Sequence, residues 1–180
     1  MKEHPGFTIP IDAWLMVDMQ NNMLKGISKL DRVKILRSNL TILDRCQRAR
    51  VPVIATKFDS MFCSLSPIHY FIRMKLVFNH PYFVLLKNGM DAFSRISKSK
   101  EPLMEILEKH SVHTLGVSGM NTTQCVGRTV DGAIENGFEV VTALQLLADQ
   151  PHRDEYAVVQ HIDDFRKKTT FFEDYCDLLA

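Results

Sequence analysis

The chain is 180 residues long, 46% hydrophobic and 24% charged, with 8 glycines and 7 prolines. These proportions exclude disorder and low complexity, and they allow a hydrophobic core that needs neither disulfides nor metal. With 22 lysines and arginines against 21 aspartates and glutamates, the formal charge is +1, so neither nucleic acid nor an acidic membrane surface meets an electrostatic footprint. The cysteines at 46, 63, 125 and 176 form no C-x-x-C pair and read as reduced thiols. The first 20 residues lack the charged and apolar regions of a signal peptide, and no apolar run nears the roughly 18 residues of a membrane span. The expectation is one domain over residues 1–180, in the cytoplasm.

The first apolar run, Ala13-Trp14-Leu15-Met16-Val17, is too short for a helix, apolar on both faces and ended by Asp18. That is the pattern of a strand covered on both sides. From Asp31, read as an N-cap, Val33, Leu36, Leu40, Leu43 and Cys46 recur at three- and four-residue spacing and predict an amphipathic helix. Residues 51–56 predict a second strand, with Pro52 near its start, where a missing amide donor is tolerated. Residues 57–81 read as a long irregular loop with one helical turn around 67–75. A third strand over 82–86 ends at Lys87, and a helix with Pro102 at N1 runs to His110, burying Leu103, Ile106 and Leu107. A fourth strand over 113–117 ends at Gly119. The next helix begins near Cys125, runs through Val126, Val130, Ala133 and Ile134 to Asn136, and stops at a left-handed Gly137. Residues 138–144 predict a fifth strand, Tyr156, Val159 and Ile162 a helix, 169–172 a sixth strand, and 173–179 a closing helical turn or two.

Strands alternating with helices predict right-handed βαβ units, hence an α/β fold with a doubly wound parallel sheet between two helix layers. In such sheets the ligand site lies beyond the carboxyl ends of the strands, where strand order reverses. Asp18, Lys87 and the segment 119–125 all fall at predicted strand ends. Taken singly, an aspartate there reads as a cap, a lysine as a solvated edge and a cysteine as a small buried hydrophobe, the reading kept for Cys46, Cys63 and Cys176. Cys125 differs, because it follows the polar turn Asn121-Thr122-Thr123-Gln124 where a strand hands over to a helix. The positive end of that helix, and a nearby Lys87, favour thiolate, with Asp18 placed to exchange a proton.

Three segments carry a resemblance: Leu15-Met16-Val17-Asp18-Met19-Gln20-Asn21, Leu85-Leu86-Lys87-Asn88-Gly89-Met90-Asp91-Ala92-Phe93-Ser94, and Ser118-Gly119-Met120-Asn121-Thr122-Thr123-Gln124-Cys125-Val126, the last followed by Thr129, Ala133, Gly137 and Phe138. They are similar to the D-x-Q-N, K-x-x-x-x-A-F and G-x-x-T-x-x-C-V-x-x-T segments of the isochorismatase-like cysteine hydrolases, the superfamily of nicotinamidases and N-carbamoyl amidases. Order and spacing agree from Trp14 to about Asp149. The resemblance implies a three-layer αβα, Rossmann-like fold with a six-stranded parallel sheet. It also implies a catalytic triad of Cys125 as nucleophile, Asp18 as general base and Lys87 as the cation that stabilises thiolate. The family's cis peptide falls at Met120-Asn121, and its oxyanion hole on the backbone amides of Asn121 and Cys125. The reaction implied is hydrolysis of an amide-like carbonyl through a thioester. Relatives that cleave the vinyl ether of isochorismate typically lack the cysteine.

Nicotinamidases carry a D-x-H and a further histidine after strand two that bind zinc, whereas the matching stretch here is Lys57-Phe58-Asp59-Ser60-Met61-Phe62-Cys63. The expectation is no metal and no cofactor, with His69 and His80 as surface loop residues. Gln20, Phe58 and Phe93 stand where substrate would be held; for the two phenylalanines ordinary core packing is the equal alternative. Gln145 occupies a segment where many relatives have an acidic residue. The partner expected is a small molecule, with no nucleic acid and no membrane, on a homo-oligomer, a dimer or tetramer. A catalytically silent binding or assembly module and a hydrolase of a non-amide substrate are the alternatives. A flavodoxin-like nucleotide binder is disfavoured, since residues 18–23 contain no glycine to cradle phosphate.

Overall fold

A computed structural model describes residues 6–59, 66–78, 81–94, 102–150 and 155–180. The strands are β1 (Ala13–Val17), β2 (Val53–Phe58), β3 (Tyr82–Lys87), β4 (Thr114–Met120), β5 (Glu139–Ala143), β6 (Leu147–Ala148) and β7 (Thr170–Phe172). They pair in the order β3-β2-β1-β4-β5-β7, every pair parallel, and the two-residue β6 adds to the end of β4. The six-stranded doubly wound sheet is therefore present, with β6 as an addition. Strand order reverses between β1 and β4, which is where the crevice opens.

The helices are α1 (Asn21–Lys25), α2 (Lys29–Ala49), α3 (Tyr70–Phe78), α4 (Leu103–Lys109), α5 (Gly127–Glu135) and α6 (Glu155–Lys168). Period-two alternation along the sheet sorts them into layers. Trp14 and Met16 of β1 pack with Ile35, Ile42 and Leu43 of α2 and Ile72 and Leu76 of α3. Ala13, Leu15 and Val17 face the other way, onto Ile106 of α4, Val130 and Ala133 of α5, and Phe165 of α6. Among the described residues, no helix is long and apolar enough to cross a membrane.

Several boundaries differ from expectation. The N-cap of α2 is Ser28, not Asp31; the Ser28 hydroxyl accepts from the Asp31 amide at 3.1 Å. Its buried face is rotated, because Val33 is 55% exposed while the polar Ser38 and Asn39 are buried with Ile35, Ile42 and Leu43. These polar groups find carbonyl acceptors: Ser38 at Gln145, 2.6 Å, and Asn39 at Ile35, 2.9 Å. Two polar side chains inside the stripe conceal it from hydrophobic periodicity. Strand β2 starts and ends two residues later than expected, because parallel pairing runs through Phe58↔Lys87. Within 57–81, α3 is a 9-residue helix rather than one turn, and α1 adds a helix after β1. Pro102 is the N-cap of α4 rather than N1. In α6, Tyr156 and Val159 are exposed, and Ile162 with Phe165 supplies the buried contact.

At Gly116 of β4 a β-carbon would lie 2.1 Å from Cε3 of Trp14, whose indole N–H donates to Ser118 Oγ at 2.9 Å. Trp14 is fully buried and held by that bond, so the added carbon forces backbone or ring to move. Gly116→Ala is expected to lower stability by about 1–3 kcal/mol, read as a lower urea midpoint; an unchanged midpoint contradicts this packing.

Candidate active site

Asp18, Lys87 and Cys125 lie at the carboxyl ends of β1, β3 and β4. Asp18 follows β1 directly with φ 51, a left-handed conformation that aspartate tolerates better than most side chains. Its carboxylate is fully buried. One oxygen, Oδ1, accepts from Thr56 Oγ1 at 2.8 Å, and the other, Oδ2, lies 2.7 Å from Lys87 Nζ. The Asp18 amide donates back to the Thr56 carbonyl at 3.2 Å.

Strand β2 lies between β1 and β3, so the lysine spans two inter-strand spacings, roughly 10 Å, to reach Asp18. Lys87 is fully buried, its Nζ 4.9 Å from the centroid of the Phe58 ring. An ammonium has three protons to place. Besides Asp18, the acceptors are the carbonyls of Gly89 at 3.0 Å and Met90 at 3.1 Å. The segment that supplies them is tied to α5: Ala92 N donates to Thr129 Oγ1 at 3.1 Å. Asp91 Oδ1 accepts from Phe93 N at 2.8 Å, and burial raises the Asp91 carboxyl above the usual range. The alanine of the second quoted segment and the threonine four residues after the cysteine thus form one joint.

Cys125 is 5% exposed and sits in a π-helical turn, Thr122–Val126, between β4 and α5. The carbonyl of Asn121 accepts from Gln124 N at 3.1 Å and Val126 N at 3.0 Å, and the peptide Met120-Asn121 is cis. Gly119 before it has φ +134, and a β-carbon there would lie 2.1 Å from the Val17 carbonyl oxygen. Only glycine lets β4 pass this close to the end of β1, the step that brings the turn beside Asp18. Asp18 and Lys87 both bear on the Cys125 thiol, in opposite directions. Burial, then the Asp18 charge, pushes the thiol up to about 12, with Lys87 acting against them. Burial and Asp18 thus oppose the thiolate that the helix terminus and Lys87 favour.

Gln20 is fully buried with both ends of its amide on backbone: Oε1 accepts from Phe58 N at 2.7 Å and Nε2 donates to Ser66 O at 3.0 Å. The structure places it as a strut between β2 and the segment before α3. Phe58 is the ring under Lys87, whereas Phe93 packs on Phe138, centroids 5.7 Å apart. His69 is half-buried rather than on the surface, and burial, then Arg32, lowers its imidazole below the ordinary value. Cys46 is buried and Cys176 is exposed, against expectation for the latter. Cys63 and His80 lie outside the described residues. Among the described residues, no group of three or more histidines, cysteines, aspartates or glutamates gathers to hold a metal ion. Thr56, which the sequence reading passed over, left one signal, a β-branched hydroxyl near the end of β2.

The isochorismatase domain family matches residues 12–166. No curated protein matches the sequence. Among solved structures, the nicotinamidase from Staphylococcus aureus is 14% identical with a TM-score of 0.75, covering 90% of this chain and 97% of that one. The N-carbamoylsarcosine amidase from Thermoplasma acidophilum is 18% identical with a TM-score of 0.69, covering 89% and 93%. An isochorismatase-like hydrolase from Alkaliphilus metalliredigens is 16% identical with a TM-score of 0.65, covering 89% and 92%. At these identities the likeness is one of fold.

The Cys125 thiol ionises at its ordinary 9.0 in the unfolded chain and at about 12 in the folded one. Its stabilising contribution is complete below the lower value and is lost as pH rises toward the upper one, since there the unfolded state binds fewer protons. Cys125→Ser is expected to lose less stability than the parent between about pH 9 and about pH 11, measured by urea midpoints. Parallel losses would contradict the burial of a neutral thiol.

Proposed function

This chain belongs to the isochorismatase domain family, and from that membership we propose that it is a cysteine hydrolase that cleaves the C–N bond of a small amide-like substrate through a thioester. The observation that carries the reading is the fully buried Asp18–Lys87 pair, 2.7 Å between Nζ and Oδ2, whose two charges both bear on the buried Cys125 thiol. A thiol raised by burial is a poor nucleophile until its proton leaves. Asp18 is the acceptor within reach, and Lys87 then faces the thiolate, so the site's net charge is unchanged by the transfer.

In this mechanism the sulfur attacks the carbonyl carbon as Asp18 takes the thiol proton. The developing oxyanion is received by the backbone amides of Asn121 and Cys125; one such donor is commonly worth about 100 to 1000-fold in rate. The C–N bond breaks as Asp18 returns the proton to the leaving nitrogen, giving ammonia or an amine and an S-acyl Cys125. Water then attacks the thioester, giving its proton to Asp18, which hands it to the departing sulfur as the acid product leaves. Phe58 walls the site beside Lys87, while Gln20 acts by holding the Phe58 backbone in place. No step requires a metal.

The test is ammonia release from a panel of simple amides, N-carbamoyl compounds and ureido acids. Cys125→Ala and Asp18→Asn are expected to lower turnover by roughly 10⁴-fold while far-UV circular dichroism stays unchanged, and acid quench during turnover should trap an acyl adduct on Cys125. Full activity in Cys125→Ala rejects the mechanism. Silence of the parent across the whole panel, with a substrate analogue still bound, favours the binding-module alternative.

A further inference from the structure

We propose that Asp149 is a positioning residue for the nucleophile, an assignment that rests on Cys125 being the attacking group. β6 pairs with the end of β4 at Gly119↔Leu147 and Met120↔Ala148, and Asp149 follows it directly, carried to the mouth of the turn that holds Cys125. Its carboxylate grips Thr123, two residues before the cysteine. Oδ2 accepts from Thr123 N at 3.1 Å and Oδ1 accepts from Thr123 Oγ1 at 2.9 Å. From the other side, His161 of α6 places Nε2 3.1 Å from the Thr123 carbonyl oxygen. All three polar groups of Thr123 are thereby held from outside the turn, by segments reaching it from two directions.

The clamp meets a specific need. The first amides of a helical turn have no partners within it, and a π-turn is a less common and wider coil than the α-helix that follows. Held only by Asn121 O and its own continuation, the turn could tighten into α-helical register, which would rotate the Cys125 sulfur and the oxyanion-facing amides away from Asp18. The charges that bear on the thiol are those of Asp18 and Lys87. Asp149 therefore works through backbone position, and its removal misaligns attack without altering the group that accepts the proton. A displacement of about 1 Å costs on the order of 100-fold in such a step.

The probe is p-nitrophenyl acetate. Its acetyl group passes to Cys125 as an S–C bond forms and the ester C–O bond breaks, and p-nitrophenolate leaves in a burst, the thiol proton passing to Asp18. The burst separates a maximal acylation rate from a half-saturating concentration. The burst is expected in the parent and absent in Cys125→Ala; a burst that survives in Cys125→Ala rejects the nucleophile reading itself. With that control met, Asp149→Ala is expected to lower the maximal rate about 100-fold with the half-saturating concentration unchanged. Asp149→Asn, which keeps one acceptor oxygen, should recover most of the loss. A parental rate in Asp149→Ala overturns the positioning role and leaves the nucleophile standing. Should Asp149→Ala not fold, Thr123→Val keeps Asp149 and the amide bond while deleting the hydroxyl bond. A lowered maximal rate in that folded variant supports the clamp, and a parental one overturns it.

Discussion

The ion pair between Asp18 and Lys87 governs this structure. Two opposite charges with no exposed surface are stable only where geometry and further hydrogen bonds repay the desolvation of both. Four neighbours contribute to that repayment. Thr56 donates to the free carboxylate oxygen, the carbonyls of Gly89 and Met90 take the remaining ammonium protons, and the Phe58 ring lies beside the cation. Because the partners stand on strands separated by β2, the pair also ties the edge strand β3 to the centre of the sheet.

The second constraint is the approach of β4 to β1. Gly116 leaves room for the Trp14 ring and Gly119 passes against the Val17 carbonyl, so the two strands on either side of the reversal can run together to their ends. The consequence is chemical. A buried thiol is set beside a carboxylate that raises it and an ammonium that acts the other way.

Around this centre the fold spends polar groups on alignment. Ala92 N on Thr129 Oγ1 docks the lysine segment onto α5, Gln20 joins β2 to the segment before α3, and Asp149 reaches the turn that carries Cys125. Ser38 and Asn39, buried within α2, meet carbonyls of residues that include Gln145. Gln145, read from the sequence as a departure from an acidic position, instead accepts from Tyr175 N through Oε1 at 3.0 Å.

Local pattern sufficed for the parallel sheet, the limits of β1, the apolar face of α4, and the placement of Asp18, Lys87 and Cys125 at strand ends, because strand alternation, helical period and chain punctuation are properties of neighbours along the chain. Tertiary structure alone decided the burial of the lysine, the upward push on the thiol, the strut made by Gln20 and the rotated face of α2. The reason is physical: these depend on partners such as Thr56 and Asp18, 38 residues apart, Ala92 and Thr129, 37 apart, or Thr123 and Asp149, 26 apart. Desolvation and hydrogen-bond satisfaction belong to groups that are near in space, and a linear pattern records a group's type without recording what will surround it.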